Sequence, residues 1–228
     1  MTDRPLRDEA RIEEALRRGA QTDKDGGRAS ASSRRPPGER AAAAAARRVV
    51  DRAGAEGLID VGYAQIDSPL GTMLAAVTRR GLVRLAFPEE DVESTLERLA
   101  GRLSPRIVET PARLDPLRRE LEEYFSGRRR AFELPLDWTL IGGFGRRVLR
   151  VTSEIPYGGV QSYAEVATDA GSPRGSRAAG NALGANPIPI VIPCHRVLRS
   201  GGALGGYGGG IDRKRWLLEL EGALTPQP

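Results

Sequence analysis

One cysteine, one histidine and an aromatic content of only 5% stand out in a chain of 228 residues. A lone cysteine excludes an internal disulfide framework, and with a lone histidine it excludes any Cys/His zinc site built within the chain. No apolar run approaches the roughly 20 residues that a membrane span needs, and the N-terminus lacks the apolar core of a signal peptide. Asp3, Asp8 and Glu9 are foreign to an organelle transit peptide, which is poor in acids. These absences lead us to expect a soluble, cytoplasmic protein of a reducing compartment. The net charge of +5 is modest, but residues 141–228 carry 10 basic against 6 acidic side chains. That cationic block permits a polyanionic partner, although an Arg-rich composition accounts for it equally well.

The chain divides into three textures. Residues 1–58 are expected to form a flexible, largely disordered extension. Gln21 to Arg40 is Gly, Ser, Pro and charge without apolar periodicity, flanked by helical patches at Arg7–Arg18 and Arg40–Ala53. Residues 59–140 read as a small α+β module with an antiparallel sheet. Strand-like runs fall at Val61–Ile66, Thr72–Val77, Leu82–Phe87 and Arg106–Glu109, and helices at Glu90–Leu103 and Ala112–Ser126. Residues 141–228 read as mainly helical. Phe144–Ile155 has Phe144, Val148, Val151 and Ile155 on one face, and Ser162 with Glu165 matches a capping box. A short helix to Ala170, a turn at Gly171-Ser-Pro173 and a helix over Arg174–Leu183 have the outline of a helix-turn-helix, a weak signal taken alone.

The informative stretch is Asn186-Pro-Ile-Pro-Ile-Val-Ile-Pro-Cys-His-Arg-Val197. Its prolines suit a rigid extended segment better than a central strand. It delivers the only Cys and the only His side by side. A lone Cys is usually a small buried hydrophobe and a lone His usually a surface or satisfied core residue, but their adjacency points to a nucleophile. A thiol near its reference pKa of about 8.5 needs a base or a positive environment to react at neutral pH. His195 can reach the sulfur of its neighbour through a water, with Glu221 as the acid that orients it. Glu219 competes for that role on composition alone.

Ile192-Pro-Cys-His-Arg-Val197 resembles the active-site signature of the methylated-DNA–protein cysteine methyltransferases, the O6-alkylguanine-DNA alkyltransferases. The resemblance extends in order and spacing to Ile155-Pro-Tyr-Gly158, Ser162-Tyr163, Arg177-Ala-Ala-Gly180, Asn186-Pro187, Gly206-Tyr207-Gly-Gly-Gly210, Lys214, and Leu217-Leu218 with Glu221. It is strong over Phe144–Gly222 and looser over Val61–Trp138, and residues 1–58 lie outside it. It implies a single-turnover repair reaction without a cofactor. The Cys194 thiolate would attack the alkyl carbon on O6 of guanine, with O4 of thymine left open as a further target. His195, through water and backed by Glu221, would take the thiol proton. Tyr163 would protonate the departing guanine, and Asn186 would brace the active-site turn.

The resemblance further implies a monomer on double-stranded DNA, with the helix-turn-helix in the minor groove and Arg177 replacing an extruded base. Gly175, Ser176, Ala178 and Ala179 would let that helix approach closely. Tyr207 would wall the pocket, Lys214 would support it, Val197 would offer backbone to the base, and Ser162 and Gly208 complete the expected DNA- and substrate-binding set. Departures from the family pattern are Gly208, where several members carry Ser, Ala179, where Val is usual, and the absence of zinc ligands that some members hold in the N-terminal module. Gly208 would widen the pocket toward bulkier alkyl groups. Two other readings compete. A non-enzymatic alkylated-base-binding protein is opposed by the retained Cys194, and a cysteine hydrolase would need Cys194 and His195 in direct hydrogen-bond reach.

Overall fold

A computed structural model describes residues 37–225, so the expectations for Arg7–Arg18 and for the stretch up to residue 36 lie outside the described residues. Helix α1 (Pro37–Ala55) forms around the run Ala41–Ala46, alanine being the best helix former. It is continuous where the sequence pattern suggests transient helix. It ends at Gly57, whose φ of +73° lets the Leu58 N–H return to the Ala53 carbonyl. Arg79 donates to the Gly57 carbonyl and ties that end to the body of the protein. Among the described residues no helix is long and apolar enough to cross a membrane.

Strands β1 (Val61–Ile66), β2 (Met73–Thr78), β3 (Gly81–Ala86) and β4 (Ile107–Glu109) form one sheet in the order β3-β2-β1-β4. The expected antiparallel pairing is found between β1 and β2 and between β2 and β3. At β4 it is corrected, because β4 pairs in parallel with β1. The cause is the connection: helix α2 (Val92–Arg102) returns the chain across the sheet, so the next strand runs in the direction of β3 and β1. Asp91 caps α2 by accepting the Ser94 N–H at 2.8 Å.

Side-chain alternation splits the sheet between two cores. Val61, Ala76 and Val83 pack with Leu99 of α2, whereas Ala64, Ile66, Met73, Ala75 and Leu85 face the other way. There they meet Leu117, Leu121 and Tyr124 of helix α3 (Asp115–Phe125) together with Val148, Leu149 and Val166 further along the chain. The two halves recognised in the sequence therefore share one buried cluster.

The C-terminal half holds α4 (Gly143–Ser153), α5 (Tyr163–Asp169), α6 (Ser176–Gly184) and α7 (Ile211–Leu220), with short strands β5 (Gln161–Ser162) and β6 (Val197–Leu198) paired in parallel. The capping box at Ser162 is present. Its hydroxyl accepts the Glu165 N–H at 3.2 Å, and the Glu165 carboxylate accepts the Ser162 N–H at 2.6 Å. On α6, Ser176, Arg177 and Ala178 are exposed, but Ala179 is wholly buried. Ala179 therefore belongs to the core and not to an approach surface, because one helix turn cannot present all its residues to the same side.

The proline-rich stretch before Cys194 is also corrected. It is a tight turn and not an extended segment: the Ile192 N–H donates to the Ile188 carbonyl, and Ile190 has φ +75°. Ile190 is the one non-glycine residue with positive φ among those described, a conformation that costs a β-branched residue roughly 1–3 kcal/mol.

Gly81 opens β3 with φ +131°, and a Cβ there would stand 2.0 Å from the Pro135 carbonyl oxygen, in the segment that pairs along the edge of β3. Gly81→Ala is expected to lose about 2 kcal/mol of stability through strain and displacement of that segment. Thermal unfolding checks this, and an unchanged midpoint would contradict it.

Candidate active site

The turn before Cys194 is held by one side chain. Asn186 Nδ2 donates to the Ile192 carbonyl at 2.9 Å, and its Oδ1 accepts the Ile188 N–H at 3.0 Å. The same Nδ2 lies 3.1 Å from Cys194 Sγ. Asn186 thus stabilises the strained backbone and fixes the sulfur in one step. Cys194 follows on a single 3-10 turn, Cys194–Arg196, and is only 6% exposed. Burial pushes its thiol up to about 11, against the lowering influence of the Asn186 bond and the nearby Lys214 cation. The resting sulfur is a protonated thiol, and reaction at neutral pH needs a base.

A candidate base is adjacent. His195 is fully buried, with Nε2 3.0 Å from Glu221 Oε1. Burial holds its pKa below the ordinary 6.5 although the Glu221 bond opposes this, so the ring is neutral near pH 7. Glu221 sits at the C-terminal end of α7, where the helix dipole disfavours a carboxylate, and burial disfavours it further. Hydrogen bonds from His195 and Arg196 win, and hold Glu221 down at about 2. Arg196 contributes Nε at 2.9 Å and Nη2 at 2.8 Å, and the Tyr124 hydroxyl donates at 2.6 Å. With Glu221 ionised, Nε2 carries the imidazole hydrogen and Nδ1 is the free lone pair. That Nδ1 is buried without a hydrogen-bond partner among the described residues.

A cavity of about 680 Å³ opens beside Cys194, lined by Tyr163, Arg177, Gly180, Arg199, Tyr207 and Gly208 among others. The Tyr163 hydroxyl donates to the Gly206 carbonyl at 3.2 Å, and burial raises its pKa. Lys214 is wholly buried. Its ammonium donates to the carbonyls of Val197, at 2.6 Å, and Leu204, and lies 5.8 Å from the Tyr163 ring centre. Burial lowers Lys214 to about 8. Tyr207 packs edge-on against Phe87 and His195, at 5.9 Å and 6.4 Å between ring centres. Arg177 is exposed at the start of α6. Val197 is buried, with its carbonyl occupied by Lys214, and Ser162 caps α5 on the strand paired with it. Cys194, His195, Glu221, Asn186, Tyr163, Tyr207, Gly208 and Lys214 thus converge around one thiol, with Arg177 at the mouth.

Two family models match the chain: 6-O-methylguanine DNA methyltransferase, ribonuclease-like domain, over residues 61–138, and 6-O-methylguanine DNA methyltransferase, DNA binding domain, over residues 143–223. A curated relative from Mycolicibacterium paratuberculosis, a methylated-DNA–protein-cysteine methyltransferase, is 40% identical over 73% of this chain and 95% of its own length. The chain belongs to this methyltransferase family. The inducible methylated-DNA–protein-cysteine methyltransferase of Bacillus subtilis is 38% identical over 64% of this chain and 82% of its own length. A crystal structure of Mycobacterium tuberculosis OGT in complex with DNA superposes with a TM-score of 0.60 at 39% identity, covering 70% of this chain and 92% of that one.

Sequence reasoning missed two side chains of the network around Cys194, Arg196 and Tyr124. Arg196 carries a legible signal, a charge inside the apolar run Ile190–Leu198, which implies a buried partner. Tyr124 carries none, because its partner Glu221 lies 97 positions away and on another element.

These groups set a definite pH dependence. The Glu221 pKa falls on folding, so the network's contribution to stability is present above pH 4.5 and is lost as the pH falls toward about 2. The rate of reaction at Cys194 is expected to fall only below pH 6.5, where His195 gains a proton. His195→Gln is expected to cost roughly 10²–10⁴-fold at neutral pH. Its remaining rate should climb about tenfold per pH unit toward the Cys194 value of about 11, as thiolate forms unaided. Single-turnover rates from about pH 5 to about pH 9.5, a span that brackets the ordinary imidazole and thiol values of about 6.5 and 8.5, check this, and a flat mutant profile would remove His195 as the base.

Proposed function

We propose that this chain is a DNA repair protein that transfers the alkyl group from O6 of guanine in DNA to its own Cys194, once per molecule. The observation that carries this reading is a buried, protonated thiol beside a neutral imidazole whose other nitrogen is held by an ionised carboxylate. The thiol proton passes through a bridging water to His195 Nδ1 as Sγ attacks the alkyl carbon. An S–C bond forms, the C–O6 bond breaks and its electron pair stays with guanine. The Tyr163 hydroxyl supplies the proton that guanine needs, and the proton on His195 makes good that loss through solvent. In net terms the thiol hydrogen replaces the alkyl group, and the thioether product leaves no nucleophile for a second turnover. Asn186 acts as a positioning residue, since it fixes the sulfur and the strained turn together.

The guanine must leave the base stack to reach a thiol this buried. Helices α5 and α6 act as a helix-turn-helix on the minor groove, with Arg177 filling the gap left by the extruded nucleotide. The protein works as a cytoplasmic monomer, with residues 59–140 as its N-terminal module, residues 141–228 as its DNA-binding and acceptor domain, and residues 1–58 as an extension. Against a cysteine hydrolase stands the hydrogen-bond partner of Sγ, which is Asn186 and not His195.

Incubation with a duplex holding one O6-methylguanine is expected to add one methyl mass at Cys194, saturating at one per molecule, and to add nothing to Cys194→Ser. Lesion-selective binding without a mass change would make the protein a non-enzymatic damage binder instead.

Gly208 bears on the choice of alkyl group. A Cβ there would meet only the Gly184 carbonyl oxygen, at 3.7 Å, so a larger side chain fits but narrows the space beside Cys194. Wild-type protein is expected to use O6-methyl and O6-benzyl guanine at similar rates, and Gly208→Ser to lower the benzyl rate relative to methyl by roughly tenfold. Strict methyl preference in the wild type would contradict this.

A further inference from the structure

The cavity beside Cys194 has a cationic rim that the proposed chemistry does not use in full. None of its lining residues is an Asp or Glu, yet it includes two arginines, Arg177 on α6 and Arg199 on the loop after β6. Arg177 has its role in the reading above; Arg199 has none. Its side chain is exposed, and it makes no hydrogen bond or ion pair with another side chain among the described residues. Its backbone is nevertheless well fixed. The Arg199 N–H donates to the Ala203 carbonyl at 2.8 Å, and its own carbonyl accepts the Gly202 N–H at 3.0 Å, closing a tight turn. Its side-chain stem leans toward Gly205, with Cγ 3.3 Å from where a Cβ on that residue would stand, beside the Tyr163 ring. Its charge is felt at the Tyr163 hydroxyl, whose pKa it lowers against the effect of burial.

We propose that Arg199 binds a backbone phosphate of the DNA strand that carries the extruded nucleotide. This rests on the transferase reading of the same site. A nucleotide whose base lies among Tyr163, Tyr207 and Cys194 must keep its sugar and phosphates at the cavity mouth, which Arg177 and Arg199 approach from separate elements. A guanidinium offers a planar set of donors matched to phosphate oxygens, and an arginine free of carboxylates surrenders no ion pair to make that contact. Phosphate contacts fix register and orientation without reading sequence, which is what a repair protein needs at a lesion in any context. Arg199 thereby holds the strand from a different element than Arg177 and orients the alkyl carbon toward Sγ.

The test separates phosphate binding from pocket shaping. Full-length wild type, Arg199→Ala and Arg199→Lys are compared on a duplex containing O6-methylguanine and on the free base O6-benzylguanine, which has no phosphate. For Arg199→Ala the slope of log affinity against log salt on the duplex is expected to become shallower by about 1, and duplex transfer to slow roughly tenfold. Its rate on the free base is expected to fall much less than its rate on the duplex, since there only the influence of its charge on the Tyr163 hydroxyl is lost, and Arg199→Lys is expected to restore the salt slope. An unchanged slope, or equal losses on duplex and free base, overturns the assignment. Absence of transfer by the wild type would overturn the transferase reading instead, and the salt slopes of lesion-duplex binding would still decide the phosphate contact.

Discussion

The active site depends on one buried charge. Glu221 ends a helix whose dipole opposes it and is removed from water, two circumstances that would ordinarily neutralise a carboxyl. It stays ionised because donors from three stretches of chain meet on it: Arg196 and His195 from the cysteine-bearing turn, Tyr124 from a helix of the N-terminal half, and the Gly158 N–H, at 3.4 Å, from the loop after α4. Removing one partner from such a cluster generally costs about 3–5 kcal/mol, because what remains is an uncompensated charge. The same bonds fix which imidazole nitrogen carries hydrogen, so stability and reactivity rest on a single set of contacts.

The electrostatic state that results is quiet at rest. Burial keeps the thiol protonated and the imidazole neutral, and no ion pair forms between them. A cysteine held this way resists adventitious oxidation, since reactivity follows thiolate content and exposure. Its activation is left to the moment when an alkyl carbon lies against the sulfur and the proton has somewhere to go. Lys214 tempers the arrangement: it is a buried cation near the sulfur, solvated by backbone carbonyls and, among the described residues, by no acid, and it favours negative charge on Cys194 without neutralising it. Strain is concentrated next to this site, at Ile190, where Asn186 bonds to the backbone on both sides.

Much of the architecture is legible in local sequence. The strands of the N-terminal half follow from alternating apolar residues, α2 and α4 from helical spacing, and the start of α5 from the Ser162–Glu165 box, because each of these is decided within about a dozen residues. The failures share a cause. The parallel direction of β4, the burial of Ala179 on the reverse of α6 and the turn at Ile190 all depend on what packs against the segment and not on its own composition. Prolines on both sides of Ile190 suggest an extended chain until the Asn186 side chain supplies hydrogen bonds that make the turn cheaper.

By itself, the sequence determined the inventory: a sole cysteine next to a sole histidine, two glutamates further on, Glu219 and Glu221, that compete to serve them, a tyrosine and an arginine in helices nearby, and motifs that mark the family. Tertiary structure alone decided which acid reaches His195, that Arg196 and Tyr124 share that acid, and that Arg199 faces the same cavity as Arg177. The physical reason is that residue chemistry is a local property, whereas burial, hydrogen-bond partnership and the pKa values that follow from them are properties of segments brought together. Tyr124 and Glu221, 97 positions apart, share a hydrogen bond that no local pattern encodes.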